Sequence, residues 1–232
     1  MESVPLNQSH DDAATDLLIK EVDEDLRQEQ LARLWQRHGG LVAGFAVLVV
    51  LAVAGWQVWN NWDQKQRKAA SQSYAQAAAL QEQGRKDEAA EVLTRLSVEG
   101  AKGYRLLAGL RLADMKQQAG EFAEAAKLYQ RIAADSSVDQ VYRDMATIRA
   151  GYLTVDSADP VALDKALEPL AAESSSWRHS AREIQALLAL RRGDAARAGD
   201  LFAKIAEDAA APQGVRGRAA EMLAATAPRG RS

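Results

Sequence analysis

The sequence predicts an all-α chain in which one membrane-spanning helix near the N-terminus precedes a solenoid of helical hairpins. Three observations carry that prediction. The run from Leu41 to Trp59, LVAGFAVLVVLAVAGWQVW, is uncharged and long enough to cross a bilayer. Thirteen-residue stretches beginning at Gly84, Gly120 and Gly193 align with one another without gaps. Alanine is abundant and prolines number only five, a composition that favours helix over sheet.

Taken in order, residues 1–16 read as a disordered tail, because no apolar period is established there. Residues 17–38 read as an amphipathic helix before the membrane: Leu18, Val22 and Leu26 recur every four residues, followed by Leu31, Leu34 and Trp35. The acidic cluster Glu21, Asp23, Glu24 and Asp25 lacks the glycine turn and ligand spacing of a calcium loop and reads as a solvated helix face. Gly39-Gly40 is expected to loosen the junction with the next helix.

Residues 39–62 form the transmembrane helix. No charge lies between Arg37 and Asp63, and at about 1.5 Å per residue the apolar run is about 30 Å long, the thickness of a hydrocarbon core. Ten of its residues are Leu, Val or Phe, which together favour insertion by about 3 to 6 kcal/mol. Trp56, Trp59 and Trp62 on one side, and Trp35 on the other, suit the headgroup layer. Two alternatives were weighed. A core helix of a soluble domain is normally shorter and carries a polar stripe. A signal peptide would use Ala52-Val53-Ala54 for cleavage, but the preceding segment is long and acidic and the apolar run continues past Ala54. Near the span, Lys20, Arg27, Arg33 and Arg37 face Lys65, Arg67 and Lys68, a bias toward a cytoplasmic N-terminus of four to three.

Residues 63–225 read as the solenoid, and 226–232 as a second disordered tail. GRKDEAAEVLTRL at Gly84, GEFAEAAKLYQRI at Gly120 and GDAARAGDLFAKI at Gly193 are offset by 36 and 73 residues, about one and two hairpin periods. The glycine ends the first helix of each hairpin. Small Ala89, Ala125 and Ala198 let the second helix approach, while Leu93, Tyr129 and Phe202 fill the groove between hairpins. Seven residues before each glycine stands Ala77, Ala113 or Ala186, the small position of the first helix. Val141–Ala172 supplies a distorted fourth hairpin with Pro160 in the first turn of its second helix. Trp177 reads as a packing residue, and Val215–Ala225 as a capping helix.

Composition excludes several classes of chemistry. Without cysteine there is no disulfide, thiolate metal site or thiol catalysis. His10, His38 and His179 have no metal-ligand spacing, and no phosphate loop, dinucleotide fingerprint or nucleophile elbow is present. Residues 1–38 hold nine acids and four bases, leaving 23 acids and 25 bases, which gives no footprint for nucleic acid. No catalytic residue, cofactor, metal or small-molecule substrate is expected. The expected activity is protein binding on the extended surface of the solenoid. The repeat frame assigns Tyr74, Ala78, Gln81 and Glu82 of the first copy, and Leu110, Asp114, Gln117 and Gln118 of the second, to that groove. The alternative is that several of them pack on the next hairpin.

The pattern G-x4-A-x3-[L/Y/F]-x2-[L/I] resembles the second helix of tetratricopeptide repeats, although the early aromatic of the first helix and the closing proline are missing. Together with EVDEDLRQEQLARLWQRHGG, the span ending AGWQVWNNW, and WRHSAREIQALLALRRGDAARAGDLFAKI, the chain resembles the YfgM-like proteins, ancillary subunits of the bacterial Sec translocon. That resemblance implies a single-pass bacterial inner-membrane protein with a cytoplasmic N-terminus and a periplasmic repeat domain. It further implies partners in the SecYEG translocon and in periplasmic chaperones, to which emerging polypeptides are passed. The alternative is a structural envelope scaffold, serving cell division or outer-membrane assembly, that handles no client chains.

Overall fold

The computed structural model describes residues 8–226, with side chains described at 40, 41 and 43–226. Residues 1–7 and 227–232, and the side chains of Trp35, His10, His38 and the amphipathic segment, lie outside the described residues. Two compact units divide the chain, residues 1–64 and 65–232.

The described part of the first unit is helix. It belongs to α1, which runs without interruption from Gln8 to Glu82, so residues 8–16 are helical where an irregular tail was expected. Nor does Gly39-Gly40 break the chain. Two glycines cost a helix about 2 kcal/mol together, and a backbone in lipid must satisfy its hydrogen bonds internally, which holds the helix continuous. The apolar window lies within Ala43–Glu82 and has a mean hydropathy of 1.6. None of that window is buried inside the protein. Leu41, Phe45, Leu48 and Leu51 are between 64% and 73% exposed, which sets aside a soluble core helix. Trp59 and Trp62 lie against each other with ring centroids 5.8 Å apart.

In the second unit, the last turns of α1 are followed by α2 (Lys86–Glu99), α3 (Lys102–Gln118), α4 (Phe122–Ala134) and α5 (Gln140–Thr154). Beyond these come α6 (Pro160–Ala171), α7 (Arg178–Arg191), α8 (Ala195–Glu207) and α9 (Gln213–Thr226). The three repeat glycines have φ of 77°, 79° and 80°, a left-handed conformation that side chains disfavour. Each closes the same C-terminal motif. Arg85 N–H donates to Leu80 O at 2.9 Å and Gly84 N–H to Gln81 O at 3.0 Å; Glu121 to Lys116 with Gly120 to Gln117, and Asp194 to Ala189 with Gly193 to Leu190, repeat it. The second helix then starts two residues past each glycine.

Buried side chains fall into clusters that each join three consecutive helices, the arrangement of a solenoid whose repeats touch only their neighbours. Ala77, Leu93 and Leu112 join α1, α2 and α3. Ala113, Tyr129 and Ala146 join α3, α4 and α5. Ile148, Leu167 and Ile184 join α5, α6 and α7, and Ala186, Phe202 and Val215 join α7, α8 and α9. Ala89, Ala125 and Ala198 have no exposed surface, and Leu93, Tyr129 and Phe202 are buried beside them.

The fourth hairpin is α5 and α6, and its distortion has a residue-level cause. Counting from Ala158 as the turn position, Gly151 takes the place of Ala77, Ala113 and Ala186, and Leu163 the place of Ala89, Ala125 and Ala198. The bulk has changed sides. A Cβ on Gly151 would lie 3.0 Å from Ile184 Cδ1 and 3.9 Å from Leu163 Cδ1, so a side chain there would push on the Ile184 methyl where Leu163 and Ile184 converge. With leucine in place of alanine, α6 stands off from α5 and packs chiefly on α7. No glycine closes this turn, and the Arg191 guanidinium does so instead, donating to Val155 O at 2.6 Å and Ala158 O at 2.7 Å. At the C-terminal end, α9 begins at Gln213, two residues before the Val215 start expected for the capping helix.

Candidate protein-binding cleft

Helices α3, α5, α7 and α9 contribute to one cleft of about 630 Å³. Its apolar surface comes from Met145, Ile148, Tyr152 and Leu153 of α5, with Trp177 at the start of α7. Gln117 of α3, Arg149 of α5, Ser180 of α7 and Arg218 of α9 supply polar groups. These residues meet because α3, α5 and α7 are the first helices of successive hairpins and α9 occupies the next such position.

The α5, α7 and α9 walls are tied together by Glu183, whose side chain is 6% exposed. Its carboxylate accepts two hydrogen bonds from Arg218, at 2.7 and 2.8 Å, and one from the Tyr152 hydroxyl at 2.5 Å. Burial, and then the bond to Glu183, push the Tyr152 phenol up to about 12, so it stays a donor. The same carboxylate raises the Arg218 guanidinium further above its ordinary value. Across α3 and α4, burial followed by the 2.6 Å hydrogen bond to Asp114 raises the Tyr129 phenol. At the α7 end, His179 Nε2 lies 2.7 Å from Asp208 Oδ2. That contact, then the Ala210 backbone N–H, lowers Asp208 to about 2.

Arg149 acts on the Tyr129 phenol, the partner of Asp114, through its charge alone. It is exposed at the cleft and makes no hydrogen bond or ion pair among the described residues. No carboxylate lines the cleft, and Glu183 already neutralises Arg218. The side-chain oxygen of Gln117 is buried without a hydrogen-bond donor.

Only Gln117 of the groove residues assigned from the repeat frame lines this cleft. Tyr74 packs on the first core cluster with its ring centroid 6.1 Å from that of Tyr104. Leu110 packs on the second cluster, and Asp114 is taken up by Tyr129. Gln81 accepts a 2.7 Å hydrogen bond from Arg111, Ala78 is half-buried, and Glu82 and Gln118 are exposed. The frame had been applied to the first two copies alone. Carried to the hairpin that turns at Ala158, the positions of Leu110 and Asp114 become Ile148 and Tyr152, both of which line the cleft. Arg149, Trp177 and Arg218 had no such signal. Trp177 does pack on the third cluster, as expected, while also presenting surface to the cleft. Among the described residues no group of three or more His, Cys, Asp or Glu is placed to hold a metal ion.

The fold is a solenoid of stacked helical hairpins preceded, among the described residues, by one helix long and apolar enough to cross a membrane. The chain belongs to the tetratricopeptide repeat-like domain family, whose model matches residues 33–222 and so takes in the span and all the hairpins. It is similar to the ancillary SecYEG translocon subunit of Escherichia coli (strain K12), with 26% identity over 174 residues that cover 74% of this chain and 82% of that protein. The resemblance to YfgM-like proteins read from the sequence thus stands. No solved structure matches the chain significantly.

Proposed function

We propose that the protein is a non-enzymatic adaptor of the Sec translocon. Its span docks laterally against the SecYEG channel in a bacterial inner membrane, with the N-terminus cytoplasmic and the solenoid periplasmic. There the solenoid receives emerging polypeptides or their chaperones and passes one to the other. The observation that carries this reading is the similarity to the Escherichia coli subunit, because it extends over most of both chains. The cleft supports it in kind: an open apolar surface with a few polar groups suits a peptide segment.

A photoreactive amino acid at Val47 or Val53, both exposed on the span, tests the docking. The expected product is a crosslink to a translocon subunit in intact membranes. Crosslinks exclusively to division or outer-membrane assembly proteins would refute it in favour of an envelope scaffold. Protease added to spheroplasts should digest the solenoid, and digestion only after the membrane is opened would reverse the orientation. Release of the chain by osmotic shock, trimmed near Gly55, would make the apolar run a signal peptide.

A further inference from the structure

From the cleft chemistry we infer that the segment it accepts is acidic and apolar: an extended stretch of a partner protein with Asp or Glu next to a large apolar side chain. This rests on the adaptor reading and adds what the adaptor selects. The floor of Met145, Ile148, Tyr152, Leu153 and Trp177 takes the apolar side chain. Charge sets the sign of its neighbour. The cleft holds two arginines and no carboxylate, and Glu183 is spent on Arg218 at 2.7 Å, which leaves Arg149 as the cleft arginine with no hydrogen bond or ion pair among the described residues. A guanidinium at the edge of an apolar surface binds a carboxylate through charge-assisted, two-pronged hydrogen bonds, and the apolar floor excludes the water that weakens them elsewhere.

Backbone recognition has a group of its own. The Gln117 amide oxygen lacks a donor at the cleft lining, and a peptide N–H laid along α3 and α5 supplies one. Four helices, α3, α5, α7 and α9, contribute to the cleft, so an extended segment meets several of them at once. Nothing in this binding neutralises the Tyr152–Glu183–Arg218 cluster, which holds the walls in place.

The test uses the full chain in dodecyl maltoside and three rhodamine-labelled peptides, SAEFELAS, SAQFQLAS and SAKFKLAS, followed by fluorescence anisotropy. The acidic peptide should bind about ten-fold more tightly than the amide peptide at low salt. That preference should narrow at high salt, because an exposed charge is screened. Arg149→Gln should erase the preference, and Arg149→Glu should transfer it to the lysine peptide. Trp177→Ala should weaken all three alike. Arg149 is exposed, so both charge variants fold, and circular dichroism verifies that. Equal binding of acidic and amide peptides, absence of binding by the acidic peptide, or an unchanged ratio in Arg149→Gln would overturn the inference. So would self-association of the chain that blocks the cleft. Loss of the Val47 crosslink to the translocon, with the peptide preference intact, would instead overturn the adaptor reading alone.

Discussion

Replacing Arg218 by alanine leaves the Glu183 carboxylate 6% exposed with the Tyr152 hydroxyl as its remaining partner. Arg218 itself is 53% exposed, so its own loss of contact is screened and small; the penalty falls on the stranded carboxylate. Removing one partner of a buried ion pair typically costs about 3 to 5 kcal/mol, and the exposure of Arg218 puts this pair at the low end. Arg218→Ala is therefore expected to lose about 3 kcal/mol at neutral pH. Glu183→Gln leaves no buried charge and should cost about 1 to 2 kcal/mol, and Glu183→Gln combined with Arg218→Ala should be more stable than Arg218→Ala alone. Urea unfolding of the full chain in detergent, followed by circular dichroism, reads the free energies. Hydrogen exchange of α9 reports whether the cap has come loose. A loss under about 1 kcal/mol would show that Glu183 is solvated and that the cluster does not hold the cleft walls.

Gly120 at φ 79° should not tolerate a side chain, and Gly120→Val is expected to lose about 1 to 2 kcal/mol, whereas Ala158→Gly should gain nothing because no left-handed residue closes that turn. Urea titration measures both. Arg191→Ala removes the donor to Val155 O and Ala158 O, and should cost about 1 kcal/mol while speeding amide exchange across the α5–α6 turn, read by mass spectrometry. Asp208 is held at about 2 in the folded chain, below the unfolded value near 4, so its stabilisation is present above pH of about 4 and disappears as pH falls toward about 2. Thermal unfolding across that window should be steeper with pH in the natural sequence than in Asp208→Asn.

Much of the architecture is written in local sequence signals. The glycines at 84, 120 and 193 mark turns because a left-handed residue is needed to receive the last carbonyls of a helix, and glycine reaches that conformation without strain. The alanines and the large residues four positions later mark helix contacts for a similarly local reason, since i and i+4 share one face. What escaped was the continuity of α1 through Gly39-Gly40, where two residues of poor helix propensity are outvoted by long helical flanks. The swapped bulk at Gly151 and Leu163 also escaped, because it is visible only once Ala158 is recognised as a turn without glycine.

By itself the amino-acid order determined that the chain is helical, that one stretch is greasy enough to enter a bilayer, and that hairpins of fixed period follow. Each of those depends on residues within a few turns of one another. The tertiary structure alone decided which helices share a cleft, that Glu183 is consumed by Arg218 35 positions away, and that Arg149 makes no hydrogen bond or ion pair among the described residues. Such pairings depend on how far each hairpin is displaced on the previous one, a displacement set by the volume at every contact along the stack. A substitution as small as leucine for alanine at position 163 changes it, and no local pattern encodes the sum.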